Sequence, residues 1–174
     1  MLTKYRRLSL LVIGAIVIAV DQFTKSWVRQ HIPLYASWNP LPWLRPIVTL
    51  THVRNTGAAF GFLPQFGSVF IIIALMVVLL IFVFYRQLAR GSWVLHLALG
   101  LQLGGATGNL IDRLVRGYVT DFIDFHVWPV FNVADSSIVV GTALLAYYSL
   151  FLDREDEGEH QAPVEAEEPP GSYE

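Results

Sequence analysis

The chain has 174 residues, 54% of them hydrophobic and only 15% charged, with a mean hydropathy of +0.49. Soluble domains carry about 25% charged residues, so this composition excludes a disordered chain and argues against an ordinary soluble globule, and the absence of cysteine excludes disulfides, thiolate metal sites and cysteine nucleophiles. The net charge of −2 hides an asymmetry: residues 1–152 hold eleven of the twelve Lys/Arg and five acids, whereas residues 153–174 hold one base and nine acids.

Crossing a bilayer takes about 20 consecutive apolar residues, and four segments qualify, at about 8–27, 66–85, 91–111 and 133–152. The first is apolar as far as Val20 and then carries Asp21 and Lys25. Its basic start (Lys4, Arg6, Arg7) and the small-residue site Val17-Ile18-Ala19 also fit a cleavable signal peptide. Removal would leave three spans and discard Asp21 and Lys25, so a retained helix is simpler. Asp21 and Lys25 are spaced i, i+4 with the acid first, which suits a helical ion pair.

The connection over residues 31–65 is too long for a simple turn. Val48-Thr49-Leu50-Thr51-His52-Val53 alternates apolar and polar and predicts a strand. Asn55-Thr56-Gly57 reads as a turn and residues 58–63 as a returning strand, so a small sheet is expected at about 40–63, resting on the outer membrane surface. Trp27, Trp38, Trp43 and Trp128 fit an interfacial belt at that level.

The second span is free of charge. The third carries Gly100, Gly104 and Gly108 at four-residue spacing, a small-residue stripe that lets a neighbouring helix approach. It leads into a polar cluster, Asn109, Asp112 and Arg113. A buried Arg113 needs a carboxylate, which Asp112 or Asp121 can supply.

Asp121 and Asp135 flank a short aromatic-rich loop, residues 122–134, with Asp135 in the first turn of the fourth span. Two carboxylates sharing a site cannot both ionise easily. One then serves as base on a water while the other donates a proton, the arrangement of an aspartic protease. Taken alone, Asp135 reads more readily as a cap on its helix, but Asp121 has no such explanation. Asn55 and Asn132 are loop amides able to hold a carboxylate or a substrate backbone, although turn formation is the ordinary use of Asn.

Basic residues crowd the short N-terminus and the short loop at 86–91, which predicts both termini on the cytoplasmic side. All five Asp residues of the body, Asp21, Asp112, Asp121, Asp124 and Asp135, then fall on or near the outer face. Residues 153–174 are Glu-, Pro- and Gly-rich and read as a disordered acidic tail. The scattered His residues lack helical metal-ligand spacing, so no metal or other cofactor is expected, and nothing points to nucleic-acid binding.

The stretches Asp21-Gln22-Phe23-Thr24-Lys25, Arg54-Asn55-Thr56-Gly57-Ala58-Ala59-Phe60, Gly108-Asn109-Leu110-Ile111-Asp112-Arg113, Thr120-Asp121-Phe122-Ile123-Asp124 and Phe131-Asn132-Val133-Ala134-Asp135-Ser136 resemble, in order, the motifs of the bacterial lipoprotein signal peptidases (signal peptidase II). The resemblance covers nearly the whole body, residues 1–152. It implies an integral inner-membrane aspartyl endopeptidase with four transmembrane helices and an outer-face sheet, or cradle, with a flap. It also implies Asp121 and Asp135 as the catalytic pair, with Asp21, Lys25, Asn55, Asn109, Arg113 and Asn132 as supporting or substrate-binding groups. The implied substrate is a prolipoprotein already carrying diacylglycerol on a cysteine and cut just before it; membrane lipid is an expected partner and the cyclic peptide globomycin an expected inhibitor. The loop between Asp121 and Asp135 is short for the family, and the acidic tail lies outside its pattern. The alternative reading is a small proton-coupled transporter using the Asp residues as a relay, which requires acids spread through the depth of the bilayer.

Overall fold

A computed structural model describes residues 2–57, 67–88 and 92–152. Among the described residues, four α-helices and three short strands follow in the order α1 (Leu2–His31), β1 (Ser37–Trp38), β2 (Thr49–Asn55), α2 (Gly67–Leu88), α3 (Trp93–Arg116), β3 (Val119–Asp124) and α4 (Val133–Tyr147). A single 3₁₀ turn, Pro42–Leu44, lies between β1 and β2, and a π-helical turn, Tyr148–Leu152, continues α4. Among the described residues, three helical segments are long and apolar enough to cross a membrane: Leu8–His31, Trp93–Arg116 and Val133–Leu152. The remaining helix, α2, is apolar over the shorter stretch Ser68–Val83.

α3 is the centre of the bundle and packs against α1, α2 and α4. Leu10 of α1, Ile81 of α2 and Leu95, Leu99 and Leu103 of α3 form its buried core. The glycine stripe has the packing role its spacing predicts. A methyl group on Gly104 would lie 2.5 Å from Val17 Cβ, and one on Gly100 2.8 Å from Ile13 Cβ, so α1 lies directly against the bare face of α3. The outward faces of α1 and α2 expose Leu8, Val12, Ile16, Leu79 and Val83, as lipid contact requires.

The sheet differs from the one expected at about 40–63. It is antiparallel with the order β1–β2–β3, and its third strand comes from beyond α3. The strand expected at 58–63 lies outside the described residues, as do the tail 153–174 and residues 89–91 of the basic loop. β3 starts at once because Gly117 (φ +76°) ends α3 in the left-handed region that favours glycine. The β-favouring run Tyr118-Val119-Thr120 then follows. β3 also shortens the loop expected at 122–134, since Phe131 bridges back to Ile123. Val28 and Ile32 of α1 bury Phe122 beneath the sheet, which fixes β3 over the bundle.

Candidate active site

Antiparallel pairing sets Val53 of β2 opposite Asp121 of β3. Side chains two apart on a strand share a face, so Asn55 reaches diagonally across to Asp121, its Nδ2 donating to Oδ2 at 2.9 Å. The same Asn55 accepts the Gly57 N–H at 3.0 Å. It therefore forms the turn and holds the carboxylate together.

Asp135 arrives from the other layer. Asn132 is the N-cap of α4 and Asp135 its third residue; each side chain accepts the other's backbone N–H in a capping box. The capping role weighed for Asp135 is therefore present in part: Asn132, with its extended backbone, is the N-cap, and the Asp135 carboxylate is its partner in the first turn. Asn132 Nδ2 also donates to Asp121 Oδ1 at 2.6 Å, so one amide side chain ties the sheet carboxylate to the helix that carries Asp135.

Asn109 on α3 completes the ring, donating to Asp135 Oδ1 at 2.7 Å. Its Oδ1 accepts from Lys25 at 2.8 Å and from Asn132 at 3.2 Å. Lys25 is fully buried and forms the expected ion pair with Asp21 at 2.9 Å. It also reaches Asp112 at 3.3 Å, a contact made possible by α1 lying so close to α3.

Asp112 does not pair with Arg113 as expected, nor does Asp121. Its carboxylate faces Lys25, Arg116 at 2.9 Å and Arg29 at 3.8 Å. Arg113 instead lies over the Phe70 ring, 5.2 Å from its centroid, with Nε buried and unpaired. One turn of helix separates Arg116 from Asp112 and brings them together, whereas Arg113, the next residue along, points off that line. Asp124, at the far end of β3, accepts from Thr51 at 2.8 Å and faces His126.

Asp121 and Asp135 line one end of a cavity of about 690 Å³. Asn55, Asn109 and Arg113 share that end, while Ile73, Ala74 and Val77 of α2, Ala106 of α3 and Ile138 of α4 give the cavity apolar walls. Burial, and then the nearby Asp135 carboxylate, push the Asp121 carboxyl up to about 7. The amides of Asn55 and Asn132 and the Lys25 charge pull the other way. Such a carboxyl carries a proton for half the time at neutral pH. The pair can hold one proton between an acid and a base while facing a space with one polar and several apolar walls. Among the described residues no group of three or more His, Cys, Asp or Glu is arranged to hold a metal ion.

Of the sequence-predicted residues, Asp21, Lys25, Asn55, Asn109, Asn132, Asp121 and Asp135 meet in one hydrogen-bonded network, and Arg113 lines the cavity beside it. The sequence reading missed Arg29, Arg116 and Thr120, which join the network through Asp112 and β3. Only the i, i+4 spacing of Asp112 and Arg116 signals any of them in the sequence.

The pattern of the signal peptidase (SPase) II family matches residues 13–151. A lipoprotein signal peptidase of Halothermothrix orenii is 44% identical over 137 residues, covering 79% of this chain and 92% of the relative. One of Moorella thermoacetica is 43% identical over 140 residues, covering 80% and 91%. The fold superposes on a bacterial membrane enzyme solved by the in meso method at 2.3 Å resolution, with a TM-score of 0.74 and 29% identity over 89% of this chain and 93% of the other.

Proposed function

The chain belongs to the signal peptidase II family, and from that premise we propose that Asp121 and Asp135 are the acid–base pair with which it cleaves diacylglyceryl-modified prolipoproteins just before the lipidated cysteine. The observation that carries this reading is the cavity: two carboxyl groups at a polar end, one of them titrating near neutrality, beside walls of apolar side chains. A lipidated peptide has matching chemistry, a polar scissile amide next to hydrocarbon. The proton-relay reading finds no support, because the family pattern and the relatives it matches are those of peptidases.

In the proposed reaction one carboxylate takes a proton from a water as its oxygen attacks the scissile carbonyl carbon. The other carboxyl, protonated, donates a hydrogen bond to the carbonyl oxygen as negative charge develops there. The tetrahedral intermediate collapses by breaking the C–N bond, and the leaving amine takes up a proton from the pair. Asn55 and Asn132 hold Asp121, Asn109 holds Asp135, and Arg113 lines the cavity, where its guanidinium can meet the peptide or the glycerol esters. Membrane lipid and globomycin would compete for the apolar walls.

The test is cleavage of a lipidated precursor by purified enzyme in detergent. Asp121→Asn and Asp135→Asn should each abolish turnover while leaving a folded protein. The double variant should be little worse than either, since groups that act as a unit are strongly non-additive. Near-normal turnover by either single variant would overturn the assignment.

The fourth span (α2), the cytoplasmic termini and the outward-facing site belong to the same proposal, resting on the charge-free run of α2 and on the density of bases near the N-terminus and in the loop at 86–91. Cysteines placed singly at Gln87 and Gly158 should resist an impermeant thiol reagent in intact cells; ready labelling of either would reverse the topology.

A further inference from the structure

Two backbone contacts in the bundle match in a way the reaction does not use. Ala134, the residue before Asp135, donates its N–H to Asp21 Oδ1 at 3.1 Å. Thr120, the residue before Asp121, donates its N–H to Asp112 Oδ2, also at 3.1 Å. Asp21 and Asp112 are fully buried and lie on different helices, and the Lys25 ammonium sits between them, 2.9 Å from one and 3.3 Å from the other. Its third hydrogen bond goes to Asn109, so all three of its donors are used.

We propose that Asp21, Lys25 and Asp112 form a calliper that sets the separation of Asp121 and Asp135, with Asp112 as its positioning residue on the sheet side. This rests on the reading of Asp121 and Asp135 as the reacting pair. The need is physical. Asp121 is carried by a short strand whose Thr120 N–H points away from β2, on the edge that no strand covers until Phe131 bridges Ile123. Without a partner that N–H would be buried and unpaired, and the strand would be free to shift. Asp112 supplies the partner, and Arg29 holds the same residue through Thr120 Oγ1 at 3.0 Å. On the helix side Asp21 takes the Ala134 N–H at the start of α4, where an anion is favoured. A single cation bridging both holders makes the two anchor points one rigid unit. A tie that merely joined helices would have no reason to end, on both sides, on the residue before a dyad carboxylate.

Two variants separate geometry from charge. Asp112→Asn weakens the hold on Thr120 and removes a negative charge; Thr120→Pro removes both ties of that residue, the N–H to Asp112 and the Oγ1 to Arg29, and leaves the charges of the network unchanged. The charged groups facing Asp121 are Asp135 of α4, Lys25 of α1 and Arg113 of α3. If the carboxylates drift apart, Asp135 pushes less on Asp121, which then gives up its proton at lower pH. For both variants, kcat per folded molecule should fall on the order of 100-fold, the cost of misplacing reacting groups by about 1 Å, with KM little changed. The alkaline limb of the pH–kcat profile should move to lower pH in both, with thermal unfolding used to count folded enzyme. A wild-type alkaline limb together with unchanged kcat per folded molecule, in Thr120→Pro or in Asp112→Asn, would overturn the calliper. Asp121→Asn and Asp135→Asn run alongside: turnover in either would sink the dyad and the calliper with it, whereas inactive controls beside an unaffected Thr120→Pro would sink the calliper alone.

Discussion

Asn132 and Asp135 grip each other in both directions, the Asn132 Oδ1 accepting the Asp135 N–H at 3.0 Å and the Asp135 carboxylate accepting the Asn132 N–H at 3.2 Å. One motif thus starts a helix and fixes the rotamer of a carboxyl group lining the cavity. The grip leaves the Asn132 Nδ2 free to reach Asp121.

Asn132→Ser and Asn132→Ala separate those duties. Serine caps a helix about as well as asparagine, whereas alanine costs about 1 kcal/mol; neither carries an amide to hold Asp121. Thermal unfolding in detergent should therefore show a clear loss for Asn132→Ala and little for Asn132→Ser. Turnover should fall sharply in both. A fully active Asn132→Ser would mean that the bond to Asp121 has no part in the chemistry.

The raised Asp121 carboxyl makes both activity and stability depend on pH. Its folded value of about 7 lies above the ordinary 3.8, so between those values the folded protein binds more protons than the unfolded chain. Stability from this group is complete at low pH and declines as pH rises toward 7. The melting temperature should therefore drop between pH 5 and pH 8, more steeply in the wild type than in Asp121→Asn, and a flat profile in the wild type would contradict it. Turnover that needs the protonated acid should fall as pH passes about 7.

Gly104→Ala tests the contact on which the buried polar network depends. The added Cβ would sit 2.5 Å from Val17 Cβ and 2.8 Å from the Gly14 carbonyl oxygen, so α1 must move away from α3. Overpacking of this kind costs about 1–3 kcal/mol, and it should also weaken the Lys25–Asp112 contact and lower turnover. At Gly14 the nearest atom is Leu103 Cδ2 at 3.4 Å, the end of a flexible side chain, so Gly14→Ala should be better tolerated. Equal melting temperatures for the two variants would show that α1 does not rest on α3 at Gly104.

Much of this was legible in the sequence, and the reasons differ by element. The apolar runs mark the helices because length and composition alone decide what can cross a bilayer. The Asp21–Lys25 pair was readable because it lies within one helix, where spacing fixes geometry. The alternation from Val48 to Val53 marked β2, observed over Thr49–Asn55. β3 was hidden: its two faces are both largely covered, so Val119–Asp124 shows no clean alternation. Asp112 was visible as part of a polar cluster, but its partners Lys25 and Arg29 come from another helix, and contacts across such separations leave no period in the chain. For Arg113 the rule that a buried cation needs a carboxylate points to Asp112 or Asp121; the structure sets its guanidinium over the Phe70 ring with no direct ion pair among the described residues, while the charges of Asp135, Asp121 and Asp112 act on it from further off.

Pairing of β2 with β3 spans a long stretch of chain, since Asn55 and Asp121 are 66 residues apart with α2 and α3 between them. Helices of this kind enter a bilayer one after another as synthesis proceeds. The sheet cannot close until α3 has been made and its C-terminal end has emerged, and Asp135 follows later still. Proteolytic competence is therefore among the last properties the growing polypeptide acquires. On the proposed assignment of Asp121 and Asp135, a partly inserted chain has no assembled acid pair, and it gains one only when β3 has paired with β2 and α4 has followed.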